Sequence, residues 1–484
     1  MSRPAIVDLI LERCGQHPDR VYVRFGSRNV TWAELVGSMW RAANRLRAVG
    51  VEPGDRVAVM LPNSPEFLFA YFGALAAGAA TVPVNTAQRG AALEHILHDS
   101  GSVAIVVDDS LRHLVSGELT VVERATLCDG EANEVDLPPG ASSGLGILYT
   151  SGTTGPPKGV VAEGYDLAPI QGLLELLEIS LGETVYTALP LFHGNALILS
   201  AMGSIWNDWT LMLAERFSAS RFWDDIRSSG AVGFTALGAM IPILLKQPER
   251  RSDPDNPARV CLSAGCPEWA WDEFERRFGL RLIEFYGMVD HPGYLVNTEG
   301  RAGSMGKPFG SSEFRVAEDG ELLMRHPRGR LTHYHNRPDA TEEAYRGGWF
   351  HTGDLARVDE DGFYYYLGRK KESIRRRGEN ISAWEIETAV NRHPAVQESA
   401  AHAVSSELGE DEIKLVVVPR AGVELTPEEL IEFCKGNVAE YALPAYIEFR
   451  DALPKTGTHR IQYAALKAEG ITPATWERPL QRGR

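Results

Sequence analysis

Apolar positions along the first hundred residues switch between helical and extended spacing. Residues 32–49 repeat apolar side chains at helical intervals, with Thr31 placed as an N-cap and Gly50 as a stop. Residues 56–61 form a short apolar run of strand length, residues 65–77 read as a helix, and residues 103–107 as a strand. Such alternation predicts βαβ units and mainly parallel sheets. The rhythm continues through strands at 185–189, 209–213 and 260–263. From 303 to 366 it shortens to strands and turns, at 313–316, 321–324 and 362–367, which predicts a β-rich subdomain. After 368–371 come a helix (383–391), two strands (396–404 and 413–419) and another helix (427–437). The expectation is an α/β protein with a large N-terminal domain over 1–367, a hinge at 368–371 and a small, mobile α+β lid over 372–484.

A chain of 484 residues is too long for one core, in keeping with two domains. Its net charge of −16, from 49 Lys and Arg against 65 Asp and Glu, argues against nucleic acid or an anionic membrane surface as partner. Residues 67–84 are apolar enough to raise the question of a membrane span. Their Ala and Gly content and the closing Thr-Val-Pro-Val predict instead a buried helix (67–77) and a buried strand (81–84). The N-terminus lacks the long apolar core of a signal peptide, and five scattered cysteines form no C-x-x-C pair. The expectation is a cytoplasmic protein with reduced thiols. Oligomeric state leaves no signature.

The most informative segment is 149–160, YTSGTTGPPKGV. Thr150, Ser151, Gly152, Thr153, Thr154 and Gly155 are small or hydroxylic, and Lys158 follows. Glycines let backbone N–H groups turn inward as an anion nest, hydroxyls add donors, and the lysine adds charge. A strand-like run precedes the loop, as it does in phosphate-binding loops generally. The register is not that of a Walker A loop.

The segment closely resembles the phosphate loop of the adenylate-forming superfamily, which includes acyl-CoA synthetases, luciferases and peptide-synthetase adenylation domains. The likeness extends over almost the whole chain. The resemblance implies that ATP and Mg²⁺ are used, that a small acid is converted to its adenylate with release of pyrophosphate, and that CoA or an amine is the acceptor. It implies that His193, in LFHGN, lies near the pyrophosphate and the acyl pocket, and that Gly265 and Cys266, in SAGCP, border adenine. In Glu284-Phe285-Tyr286-Gly287-Met288-Val289-Asp290, which is similar to a Y-G-x-T-E segment, Tyr286 and Gly287 meet adenine and Asp290 holds Mg²⁺. Here Val289 replaces a Thr and Asp290 a Glu. Aspartate is still a hard oxygen ligand for Mg²⁺, but valine donates no hydrogen bond. Asp354, in GWFHTGD, and Arg369 would hold the ribose, Lys371 matches the hinge position, and Gly378 belongs to a loop lining the pantetheine tunnel, with Arg375–Arg377 facing CoA phosphates. The last motif is altered: Arg460 stands where the family has a catalytic Lys. A planar guanidinium is no simple substitute for an ammonium.

Among subgroups, residues 63–90 and 374–387 look most like bacterial crotonobetaine/carnitine–CoA ligases. An acid–CoA ligase of bacterial metabolism is therefore the expected activity. Two alternatives stay open at this point: a natural-product diazotase that activates nitrite to diazotise an aryl amine, and a degenerate ligase kept as a binding module.

Overall fold

The structure, a computed structural model, describes residues 4–115, 117, 119–137, 146–150, 157–162, 168–238, 240–376, 379–405, 411–435, 437–438, 440–456 and 460–479. It comprises a large N-terminal domain of several sheets and a smaller C-terminal domain with its own core.

The largest sheet has nine strands. In spatial order they are Lys307–Phe309, His291–Asn297, Arg281–Met288, Val260–Ala264, Ala231–Leu237, Thr184–Thr187, Thr210–Leu213, Val21–Phe25 and Arg28–Thr31. The strands from Arg281–Met288 to Val21–Phe25 run parallel, and antiparallel strands close both edges. A second sheet of four parallel strands is built on Arg56–Met60. Helix Trp32–Ala48 begins as its sequence predicts, with Thr31 accepting from the Glu34 N–H at 3.1 Å. Helix Pro65–Ala76 is buried at every residue but Glu66, which explains its apolar composition without a membrane. Among the described residues no helix is long and apolar enough to cross one. All five cysteines are free.

The stretch 303–366 is less unified than its sequence suggests. Glu313–Val316, Glu321–Arg325, Phe350–Val358 and Tyr364–Arg369 form a four-stranded antiparallel sheet. Lys307–Phe309, however, joins the nine-stranded sheet, and Thr332–Tyr334 pairs with Lys158–Ala162 beside the phosphate-loop segment. Register with distant strands decided these placements, and local period carries no record of it.

In the C-terminal domain a four-stranded sheet, led by Val396–Ser405 and Asp411–Pro419, packs against helices Ala383–Val390 and Pro427–Lys435.

Candidate active site

Strands Ile147–Thr150 and Lys158–Ala162 pair antiparallel, so the glycine- and hydroxyl-rich segment joins two adjacent strands. Thr150 stands opposite Lys158, and its Oγ1 donates to the Lys158 carbonyl at 3.4 Å. Ser151, Gly152, Thr153, Thr154 and Gly155 lie outside the described residues, as does Gly378. The first of these strands is anchored at its start by a parallel bridge between Gly146 and Thr81. A Cβ at Gly146 would sit 1.9 Å from the Thr81 carbonyl oxygen, so only glycine permits this approach.

Lys158 Nζ lies 4.7 Å from the centroid of the Tyr334 ring, a cation–π contact that orients the ammonium. The Tyr334 hydroxyl donates to Asp290 Oδ1 at 2.8 Å, and Thr332 Oγ1 donates to the Asp290 carbonyl. Burial raises the Asp290 pKa, and the Tyr334 hydrogen bond, Arg369 and Lys158 counter part of that rise. Among the described residues no group of three or more His, Cys, Asp or Glu side chains could hold a metal. Asp290 thus has Lys158 and Arg369 as positive neighbours, and its own charge in turn raises the pKa of Asp354.

A second group forms around Asp354. It is the direct cross-strand partner of Arg369, and Arg369 Nε lies 2.9 Å from its Oδ1. The Tyr286 hydroxyl donates to Oδ2 at 2.6 Å. Oδ1 is buried and receives no hydrogen bond, because the guanidinium forms an ion pair outside hydrogen-bonding geometry. Burial raises the pKa of Asp354, against the pull of Arg369 and the Tyr286 hydrogen bond. Burial, with Asp354 beside it, holds the Tyr286 phenol well above its ordinary range, so the hydroxyl stays a donor. A Cβ at Gly287 would lie 2.7 Å from the Tyr294 ring, which requires glycine there.

The backbone N–H groups of Gly265 and Cys266 both donate to the carboxylate of Glu284, the second at 3.2 Å. Gly265 has φ +96°, so the turn leaves its strand in a conformation suited to glycine. Glu284 is buried, and burial raises its pKa to about 7 against these backbone donors. Burial also raises the Cys266 thiol, which makes it a packing residue and not a thiolate.

His193 follows a tight turn, its N–H donating to the Pro190 carbonyl at 3.0 Å. Its Nε2 is buried and without a hydrogen-bond partner. Burial and then the positive charge of Arg460 lower its pKa to about 4, so the ring is neutral near pH 7. Arg460 also acts on Asp354, so it belongs with the His193 and Asp354 group. Its carbonyl accepts from the Thr456 N–H at 2.8 Å. Gly194 packs on Val289, whose Cγ2 would lie 3.1 Å from an added Cβ. The valine in the threonine position thus contributes an apolar wall. Asn195 opens a π-helix, Asn195–Met202, a rare form often found at functional sites. Lys371 is placed elsewhere: its side chain is exposed, and its carbonyl accepts from Lys467 Nζ at 3.4 Å at the junction of the domains.

Sequence reasoning missed Tyr334, which links Lys158 to Asp290, and gave Glu284 no task. Tyr334 carries no local signal, since a strand pairing across more than 170 residues of chain brings it to Lys158. Glu284 offered one, a charged residue inside an apolar strand.

Residues 10–333 match the AMP-binding enzyme family, and residues 385–460 match the C-terminal domain of AMP-binding enzymes. The chain belongs to this adenylate-forming family. It is 32% identical over 474 residues to a feruloyl-CoA synthase of an Amycolatopsis species, covering 93% of this chain and 96% of that one. It is 31% identical over 491 residues to a crotonobetaine/carnitine–CoA ligase of Salmonella enteritidis, covering 91% and 93%. Among solved structures, the o-succinylbenzoate CoA synthetase of Bacillus subtilis, in complex with its acyl-adenylate intermediate, matches with a TM-score of 0.82 at 27% identity, over 95% of this chain and 97% of that one. The large-and-small two-domain α/β architecture is thus that of the adenylate-forming enzymes.

Proposed function

We propose that this chain is an ATP-dependent acid–CoA ligase that activates a small carboxylic acid as its adenylate. The observation that carries this reading is Asp354. A buried carboxylate with one oxygen taken by Tyr286 and the other, ion-paired with Arg369, still without a hydrogen bond is suited to a hydroxyl-bearing ligand, and the ribose of ATP supplies one. Arg369 holds that carboxylate in place. Thr150 with Ser151–Gly155, and Lys158 steered by Tyr334, hold the phosphates. Tyr286, Gly287, Gly265 and Cys266 border the adenine.

Asp290 fits magnesium as a single hard oxygen ligand, because Mg²⁺ keeps waters and shares phosphate oxygens and needs no protein cage. When bound, the ion neutralises phosphate charge. An oxygen of the substrate carboxylate attacks the α-phosphorus, and pyrophosphate leaves. Neutral His193 would line the site without adding charge to it, and Arg460 would supply the positive charge that the resembled family motif places on a lysine. The sulfur of CoA then attacks the acyl carbon, and AMP leaves. For that step the domain of 372–484 turns about 368–371, with Lys371 as pivot and Gly378 lining the acceptor's tunnel. The named relatives are CoA ligases of carboxylic acids, which favours a carboxylate over nitrite as the activated oxyanion.

The test is pyrophosphate release with ATP and Mg²⁺ over a panel of aliphatic, aryl and zwitterionic acids, followed by mass spectrometry with CoA. Acid-dependent release and an acyl-CoA product are expected. Release only with nitrite, and diazotisation of an added aryl amine, would replace this reading.

A further inference from the structure

Lys246 follows helix Met240–Leu245 of the large domain, and its Nζ donates to the carbonyl of Gln397 at the start of strand Val396–Ser405 in the small domain. This contact involves neither Lys370 nor Lys371. The next residue, Glu398, pairs with Lys455 Nζ at 2.5 Å. Lys455 bridges Ile461, and the neighbouring Arg460 donates its N–H to Thr456 Oγ1 at 3.2 Å. Arg460 in turn lies within electrostatic reach of His193 and Asp354. A chain of contacts therefore runs from Lys246 of the large domain to Arg460 of the small one, and the charge of Arg460 reaches His193 and Asp354 in the large domain. Burial lowers the Lys246 pKa to about 8, with Arg420 lowering and Glu398 raising it, so the ammonium form prevails at pH 7.

We propose that Lys246 is a positioning residue that holds the small domain in the orientation presenting Arg460 to the nucleotide site, and that its bond to Gln397 breaks when the domain turns for transfer to CoA. The second clause rests on the two-step reading above. An ammonium-to-carbonyl bond is charge-assisted, so it is strong enough to bias two orientations. It is also single and partly solvated, so it remains breakable at each turnover.

The test uses Lys246→Met, which keeps the stem and removes the donor, and Lys246→Arg, which restores one. Spin labels on Asp272→Cys and Glu424→Cys, with Cys14 and Cys128 changed to Ser, report the distance between domains by pulsed EPR without any need for activity. Wild type should give one dominant distance, Lys246→Met a second population, and Lys246→Arg the original distribution. In parallel, ATP–pyrophosphate exchange should fall about fivefold to tenfold in Lys246→Met, while transfer to CoA from supplied acyl-adenylate stays at the wild-type rate. An unchanged distance distribution, or equal losses in both half-reactions, would overturn the proposal. If wild type showed no exchange at all, the adenylation reading would fail, and the distances would still decide the role of Lys246.

Discussion

The two oxygens of Asp354 have different partners: Oδ2 accepts from Tyr286, and Oδ1 is ion-paired with Arg369 and accepts no hydrogen bond. Asp354→Asn keeps the volume and removes the charge that pairs with Arg369 and that the proposed ribose contact requires. The dissociation constant for ATP should rise roughly 10- to 100-fold, the loss of one charge-assisted contact. Calorimetric titration decides this, and an unchanged constant would remove the ribose assignment. Glu284 gives a prediction of a different kind. Its pKa is raised from 4.5 to about 7, chiefly by burial, so the folded state holds the proton more tightly than the unfolded chain. Its contribution is therefore fully present below about pH 4.5 and is lost as pH rises through about 7. The change amounts to ~3 kcal/mol at most. Glu284→Gln keeps an acceptor for one backbone N–H and cannot titrate. Its melting temperature should lose this component of the pH dependence between 5 and 8, as differential scanning fluorimetry across that range would show. Identical pH profiles for the two proteins would mean that Glu284 does not titrate there.

At the scale of elements, the strand before the phosphate loop depends on Gly146 at φ +128° against Thr81. Gly146→Ala forces a left-handed conformation and a backbone clash, and should cost about 3 kcal/mol. Urea denaturation measures it, and a loss below 1 kcal/mol would mean that the strand is not pinned there. Elements whose signals are local were legible in the sequence. Helix Trp32–Ala48 carries its own cap, and helix Pro65–Ala76 has its proline at the first turn. Asp354 and Arg369 were singled out through motifs, and the antiparallel register sets them directly opposite each other. What escaped was non-local. Thr332–Tyr334 has no periodicity of its own, and only its pairing with Lys158–Ala162 brings Tyr334 between Lys158 and Asp290. The π-helix Asn195–Met202 likewise departs from any period that apolar spacing encodes.

At the scale of the molecule, the junction between domains is asymmetric. Lys370 is tied to the large domain through Asp319 and Glu321, at 2.7 and 2.9 Å, and the Lys371 carbonyl faces Lys467 of the small one. That arrangement supports the proposed pivot between Lys370 and Lys371. Lys371→Pro fixes φ at the proposed pivot. Adenylation should persist within about threefold while transfer to CoA falls by at least about 100-fold, a gap of near 2 kcal/mol between the two barriers. Single-turnover measurement of each half-reaction checks this, and parallel losses would contradict domain rotation about 368–371.

The central claim is that a carboxylate oxygen of the substrate attacks the α-phosphorus of ATP. Once an accepted acid is known, that acid labelled with ¹⁸O in its carboxylate, incubated with enzyme, ATP, Mg²⁺ and CoA, tests this most directly. The bond formed in the first step leaves one labelled oxygen on AMP when the sulfur displaces it. Mass spectrometry should therefore find AMP carrying a single ¹⁸O and pyrophosphate carrying none. Unlabelled AMP, or label in inorganic phosphate with ADP as the nucleotide product, would contradict adenylate formation at this site.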